Sequence, residues 1–454
     1  MTERVVVVGA DAAGMSAASQ AKRLRGDDLD VVALERGSHT SYSACGIPYW
    51  IGGDVSSVNR LIARTADEHR ANGIDLRMRA EAVGLDLDRR EVEVRDHAGS
   101  TTYRLGFDHL VLATGARPRR PDVPGIGADG VFGVQTLDDG ERVLDALDHE
   151  PRRAVVVGGG YIGIEMAEAM VNRGLAVTVV TRSAEPMATL DPDMGRQVHK
   201  AMEAMGIDVR TSVELHGIGT GADGRAQAVL TDAGEFAADL VVLGTGVSPE
   251  TSLAVDAGIS MGRWGGLITD LQMRVFDVPG VWAAGDCVES IDLVSGNRVH
   301  VALGTHANKQ GRALGTNLGG GYATFPGVVG TAVSKVCDLE IARTGLREKD
   351  CNAVGFGYLT VIVDSTTRAG YYPGASRVTV KLVVEQGSGR LLGGQIVGRE
   401  GSAKRIDVLA VALWNRMTVE EIVSLDLGYA PPFSPVWDPV LIAARKAVER
   451  MAAQ

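Results

Sequence analysis

The chain has 454 residues, 45% of them hydrophobic and 58 of them glycine, with a formal net charge of −11 and a pI near 5.4. That length exceeds one ordinary core and suggests about three domains. The acidic balance argues against a nucleic-acid backbone or an anionic membrane as the main partner, while a local basic pocket for a phosphorylated ligand stays allowed.

The first predicted strand, Arg4 to Gly9, begins almost at the initiator, so no signal peptide is expected, and no apolar run reaches membrane-spanning length. It opens a βαβ unit: the apolar strand Val5 to Val8, the turn Gly9-Ala10-Asp11-Ala12-Ala13-Gly14, a small-residue helix, and the strand Val31 to Leu34 with Glu35 and Arg36 at its end. A continuous apolar strand marks a parallel sheet buried on both faces. A glycine turn entering a helix suits a pyrophosphate, because glycine lets the backbone approach and the helix N-terminus offers free N–H groups. Asp11 replaces the middle glycine and is expected to cap the turn by bonding a nearby N–H.

Next comes Ser41-Tyr42-Ser43-Ala44-Cys45-Gly46-Ile47-Pro48. Gly46 and Pro48 suit the first turn of a helix, whose dipole is expected to lower the Cys45 pKa and keep a thiolate at neutral pH. A buried structural cysteine is the alternative. Cys287, Cys337 and Cys351 have no C-x-x-C spacing and no histidine cluster, so they read as structural; no disulfide framework and no metal are expected, and a reducing cytoplasm fits best.

Leu112-Ala113-Thr114-Gly115-Ala116-Arg117-Pro118 and Leu243-Gly244-Thr245-Gly246-Val247-Ser248-Pro249 are matched strand-then-turn segments, read as crossing points between domains. Between them the βαβ logic repeats: the strand Ala154 to Val157, the turn Gly158-Gly159-Gly160-Tyr161-Ile162-Gly163, a helix carrying Glu165 and Glu168, and the strand Val177 to Thr181 followed by Arg182. One such turn is weak evidence; two in strand-turn-helix context make a chance pair improbable. Val281 to Ala284 is a further buried strand, ending in Gly285 and Asp286, and Leu303-Gly304-Thr305 opens another helix. Beyond about Phe325 the texture becomes α+β, with alternating strands at Val378 to Val384 and Arg390 to Val397, a helix capped by Ser402, and a capping box at Thr418 to Glu421. This module is expected to join another subunit.

In order along nearly the whole chain, these segments, with Tyr429-Ala430-Pro431-Pro432-Phe433-Ser434, resemble the flavin- and pyridine-nucleotide-dependent disulfide oxidoreductases. The resemblance is to their single-cysteine branch: coenzyme A disulfide reductase, NADH oxidase and NADH peroxidase. Two-cysteine relatives carry a second thiol five positions on, where this chain has Trp50, and the peroxidases carry a histidine in the first glycine turn, where this chain has Ala10, Asp11 and Ala12. The resemblance implies an α/β fold of two Rossmann-like dinucleotide-binding domains plus a C-terminal α+β dimerisation domain: FAD-binding residues 1–115 and 245–325, NAD(P)H-binding residues 116–244, and a dimerisation domain over residues 326–454.

It further implies that FAD is held by Gly9, Ala13, Gly14, Glu35, Arg36, Ala113, Thr114, Gly115, Gly246, Gly285 and Asp286, with the helix start at Gly304 and Thr305 facing the flavin. The nicotinamide cofactor falls to Gly158, Gly160, Tyr161, Ile162, Gly163 and Glu165, with Tyr161 covering the flavin. Thr181 and Arg182 stand where NADH enzymes often place an acid, so NADPH is preferred and NADH remains possible. Cys45 is the redox thiol, completed across a homodimer interface by Tyr429 and by Tyr371, favoured over Tyr372. A coenzyme A substrate requires cations, for which Lys22, Arg23 and Arg64 are the candidates beside Ser41 and Ser43. The expected reaction is NAD(P)H-dependent reduction of coenzyme A disulfide, persulfide or polysulfide; an oxygen-reducing oxidase and a flavin-bearing redox sensor are the alternatives. The end at residue 454 leaves no appended rhodanese-like domain, and His306 reads as a packed helix residue.

Overall fold

The computed structural model describes residues 2–453. The apolar run Glu3–Val8 is the middle of a five-stranded sheet, between Leu29–Glu35 and His109–Leu112, with Asp75–Met78 and Val281–Ala283 at the edges. All four pairings are parallel, so Val8, Leu112, Glu35 and Ala283 end on one edge of the sheet. A second parallel sheet repeats the plan around Arg153–Val157, flanked by Ala176–Thr181 and Leu240–Leu243. Strands buried on both faces explain why each reads as an unbroken valine-rich run.

The matched segments also pair with each other: Ala116–Pro118 runs antiparallel to Val247–Pro249, forming a two-stranded bridge between the parallel sheets. The helix Ala12–Arg25 packs closely on Gly304–Leu318 because both present small residues. At Gly311 a Cβ would lie 2.2 Å from the Ala13 carbonyl, and at Gly315 it would lie 2.3 Å from that of Ala17.

The C-terminal sheet runs Ala332–Val336, Leu339–Gly345, Leu391–Gly398, Arg377–Glu385, Tyr358–Thr366, all antiparallel. The capping box at Thr418 forms and opens the helix Val419–Val423. Two expectations fail here. Ser402 caps nothing; its hydroxyl is buried without a partner, and a 3-10 turn, Ala403–Arg405, leads into the helix Ile406–Trp414. The central strands do not alternate between core and solvent, because helices Ile406–Trp414 and Pro439–Ala452 cover one face while Pro192–Ala204 of the second unit packs on the other.

That double cover buries a lysine. Lys381 is 0% exposed in the middle of Arg377–Glu385, and its ammonium meets Asp191 at 3.1 Å, Asp193 at 2.8 Å and Glu348 at 2.5 Å. Gln395 donates to Asp191 at 2.6 Å from the adjacent strand. Breaking a buried ion pair from one side strands the other charge, at a cost of about 3–5 kcal/mol. Lys381→Met is therefore expected to lower the guanidinium midpoint sharply, and adding Asp191→Asn is expected to recover part of the loss; an unchanged midpoint would show that the cluster contributes nothing.

Candidate active site

Both glycine turns stand at the carboxyl edges of their sheets and are built alike. Gly9 has φ +99°, and a Cβ there would lie 2.2 Å from the Ala113 carbonyl; Gly158 has φ +113°, with Gly244 at the same 2.2 Å. One turn later a Cβ on Gly14 would meet the Gly9 carbonyl at 1.9 Å, and one on Gly163 the Gly158 carbonyl at 2.0 Å. Only glycine fits such approaches. The first turn gathers Ala13 against Gly285, Ala113 and Thr114 behind Gly9, with Gly115 following them in the chain, and Glu35, whose carboxylate accepts from the Ala10 N–H at 3.0 Å and the Gly37 N–H at 2.7 Å. Arg36 is exposed beside it, and Gly304 and Thr305 are exposed at the start of their helix. Asp11 does not cap its helix. It reaches out of the turn to accept the Tyr42 N–H at 3.1 Å, and burial pushes its carboxyl up to about 6.

The second turn starts the helix Tyr161–Asn172, with Gly160 at its N-cap and Tyr161 and Ile162 half-buried in its first turn. Gly246, at φ +84°, closes the neighbouring strand's turn. Glu165 projects from this helix, accepts from the Ser334 hydroxyl at 2.7 Å, and is pushed up to about 7 by burial. At the strand end Thr181 is buried against Ser183 at 2.9 Å, while Arg182 is exposed with no ion pair among the described residues.

Cys45 lies in a 3-10 turn, Ala44–Gly46, running into the six-residue helix Ile47–Gly52 with Pro48 in its first turn. The helix start is as expected; its effect on the sulfur is not. Burial pushes the Cys45 thiol up, and Glu165 and Asp286 push it the same way. A helix under two turns long carries little dipole, whereas Glu165 and Asp286, delivered by remote segments, disfavour the thiolate to the extent that they are ionised. Asp286 itself, raised to about 6 by burial, has no hydrogen-bond partner for its carboxylate among the described residues. Cys287 and Cys351 are buried, and Cys337 lies 3.1 Å from the Met205 sulfur, so these three read as packing groups.

Beside the cysteine loop opens a cavity of about 470 Å³, lined by Ser41, Ser43, Arg23, Arg64 and Arg312 with Asp11, His69, Gln20 and Asn308. Lys22 is not in it. Its ammonium is bound by the Leu29 carbonyl at 3.0 Å on another face of the helix Ala12–Arg25. Sequence reasoning missed Arg312, although Asn308 and Arg312 share a helix face at i, i+4, as do Ser16, Gln20 and Arg23 at i, i+4 and i, i+7. What sets those two faces opposite one another is the glycine-mediated helix contact. Tyr371 and Tyr429 come together through their hydroxyls on the surface of the C-terminal module, 79% and 50% exposed, and no contact among the described residues joins them to Cys45.

The model of the pyridine nucleotide-disulphide oxidoreductase family matches residues 3–311, and that of its dimerisation domain residues 331–439. The chain belongs to this family. A relative from Pyrococcus horikoshii, an NAD(P)H coenzyme A polysulfide/persulfide reductase, is 37% identical over 449 residues, 98% of either chain. The solved structure of an NAD-dependent persulfide reductase from A. fulgidus is 38% identical with a TM-score of 0.96, covering 99% of this chain and 84% of that one. A water-forming NADPH oxidase bound to NADPH, engineered from the water-forming NADH oxidase of Lactobacillus brevis, is 26% identical with a TM-score of 0.94, covering 99% of each chain.

As a pyridine nucleotide-disulphide oxidoreductase the protein is a flavoprotein using FAD and NAD(P)H. Its first turn fits FAD: the bare cradle at Gly9 and Gly14, the Glu35 carboxylate beside it, and the unpartnered Asp286 carboxylate are the groups a pyrophosphate, a ribose and a polyhydroxyl chain require. No helix among the described residues is long and apolar enough to cross a membrane.

In this oxidoreductase Glu165 raises the Cys45 pKa when ionised. Glu165→Gln is therefore expected to move the pH midpoint for iodoacetamide alkylation of Cys45 downward in the NADPH-reduced holoenzyme. An unmoved midpoint would remove Glu165 from the electrostatics of the thiol.

Proposed function

We propose that the protein is an NADPH-dependent reductase of low-molecular-weight disulfides, with coenzyme A disulfide, or the persulfide or polysulfide of coenzyme A, as its acceptor. The observation that carries this reading is the cavity beside the cysteine loop: in a chain of net charge −11, Arg23, Arg64 and Arg312 line it, and none of the three forms an ion pair with a carboxylate among the described residues. Such a site suits an acceptor bearing phosphates. The Pyrococcus relative named for coenzyme A chemistry and the persulfide reductase structure point the same way.

FAD, when bound, supplies two-electron transfer between nicotinamide and thiol. Gly9 and Gly14 would clear space for its pyrophosphate, Glu35 would accept from the adenosine ribose and Asp286 from the ribityl chain, and the helix N-terminus at Gly304 and Thr305 would favour negative charge on it. Gly158, Gly160 and Gly163 hold NADPH, with Tyr161 moving aside and Glu165 binding the carboxamide. Arg182, exposed and unpaired after Thr181, binds the 2′-phosphate. The engineered NADPH oxidase has an aspartate-alanine-methionine run changed to alanine-arginine-serine, and Arg182-Ser183 repeats that arginine-serine pair.

The Cys45 thiolate attacks one sulfur of the acceptor, forming a mixed disulfide; the other half departs as a thiolate and takes up a proton. Two electrons from NADPH then cleave the mixed disulfide, so one disulfide, one NADPH and one proton give two thiols and NADP⁺. In the homodimer, the Tyr371–Tyr429 hydroxyl pair of one subunit reaches the other subunit's Cys45 and donates to the leaving thiolate. Ser41 and Ser43, with Arg23 and Arg64, hold the acceptor.

Mass spectrometry of the oxidised protein is expected to show a coenzyme A adduct on Cys45. Cys45→Ser is expected to lose at least about a thousandfold in coenzyme A disulfide reduction. Undiminished turnover in that variant, or NADPH oxidation that runs equally fast with air as sole acceptor, would overturn the reading. Arg182→Ala is expected to lower kcat/KM for NADPH about tenfold or more while sparing NADH, and a wild-type preference for NADH would refute the NADPH assignment.

A further inference from the structure

His69 is a buried titratable side chain that the reaction above does not use. The Thr65–Glu68 capping box starts the short helix Ala66–Ala71, with the Glu68 N–H donating to the Thr65 hydroxyl at 3.3 Å and the Glu68 carboxylate accepting from the Thr65 N–H at 2.7 Å. That turn drives His69 inward, to 2% exposure, at the wall of the arginine-lined cavity. An imidazole at such a place has to be satisfied or explained. Its Nε2 lies 2.9 Å from the Ser41 hydroxyl, and its Nδ1 is buried with no partner.

Ser41 is unusual in its own right. Its φ is +48°, a left-handed conformation that is unfavourable for a non-glycine residue and persists only where surroundings impose it. Here the imposing contacts are the Ala63 N–H at 2.8 Å and the Arg64 N–H at 3.3 Å, both donating to the Ser41 carbonyl, with His69 on the side chain. One left-handed residue thus fixes both the Arg64 backbone and the strand of chain leading to Cys45.

We propose that His69 is a positioning residue for acceptor recognition, holding the Ser41 hydroxyl as a hydrogen-bond donor aimed into the cavity at an anionic oxygen of a phosphorylated acceptor. The inference rests on the coenzyme A reading above. A buried N–H without an acceptor is costlier than a buried lone pair without a donor, so the ring proton belongs on Nε2. Nε2–H then donates to the Ser41 oxygen, which occupies the acceptor side of the hydroxyl and leaves its own proton free for the ligand. Burial and the nearby Arg64 favour the neutral ring this tautomer requires. A disulfide without phosphates has nothing to accept that bond, so His69 acts on selectivity among acceptors and not on the sulfur chemistry.

The test compares kcat/KM for coenzyme A disulfide with that for 2-hydroxyethyl disulfide in the FAD-loaded enzyme. His69→Phe keeps the ring volume and removes the hydrogen bond; it is expected to lower the ratio about tenfold, through KM for coenzyme A disulfide. His69→Gln, whose amide nitrogen reaches the position of Nε2, is expected to restore most of it. Ser41→Ala is expected to match His69→Phe, and the double variant to be no worse than Ser41→Ala alone. An equal fall for both disulfides in His69→Phe and His69→Gln would make His69 a packing residue and overturn the proposal, as would an unchanged ratio. A wild-type enzyme with no preference for coenzyme A disulfide sinks the underlying reading as well, whereas a preference that survives in His69→Phe sinks this inference alone.

Discussion

The candidate active site depends on backbone crowding at the carboxyl edges of two parallel sheets. At Gly9 and Gly158 the chain passes so close to Ala113 and Gly244 that a single Cβ would sit 2.2 Å from a carbonyl oxygen. The helices that follow are pressed into their turns by Gly14 and Gly163 in the same manner. Because both sheets are parallel, each turn is surrounded by the ends of neighbouring strands, and these deliver Glu35, Asp286, Gly246 and Arg182 without any one segment containing the site.

Electrostatics around the thiol divides into two sides. Glu165 and Asp286, both half-buried and raised in pKa, face Cys45 and disfavour its thiolate. Three arginines that form no ion pair among the described residues face the cavity beyond the cysteine loop. The loop between them is held from both directions: Tyr42 donates to Asp11 of the first glycine turn, Ser43 donates to Leu61, and Ser41 is bound to His69 and to the backbone at Ala63 and Arg64. Local unfolding of that loop would disturb the first glycine turn, thiol and cavity together.

The modules are joined by buried polar contacts as well as by apolar packing. The Lys381 cluster ties the C-terminal sheet to the start of the helix Pro192–Ala204. Ser334 and Lys335 reach Glu165 and Glu168 on the helix of the second glycine turn. Polar interfaces of this kind specify orientation more than they add stability, since desolvating the charges offsets most of the attraction. The helix Ile47–Gly52 behind Cys45 shares that second unit's core, with a Cβ at Gly52 only 3.2 Å from the Ala169 backbone.

By itself the amino-acid sequence determined the two βαβ units, their turns, the position of Cys45 just before Pro48, and the capping box at Thr418, because each rests on residues within one turn or one strand of each other. Its failures share one cause. The thiol is not lowered, Asp11 binds Tyr42 instead of its own helix, Lys22 is occupied by Leu29, Ser402 caps nothing, and Lys381 is buried in a strand that reads as half-exposed. Only tertiary structure decided these, as it decided that Arg312 joins Arg23 and Arg64 and that Ser41 meets His69. Periodicity and propensity are local, while burial and charge sum over whatever the fold brings within a few ångströms, regardless of separation along the chain.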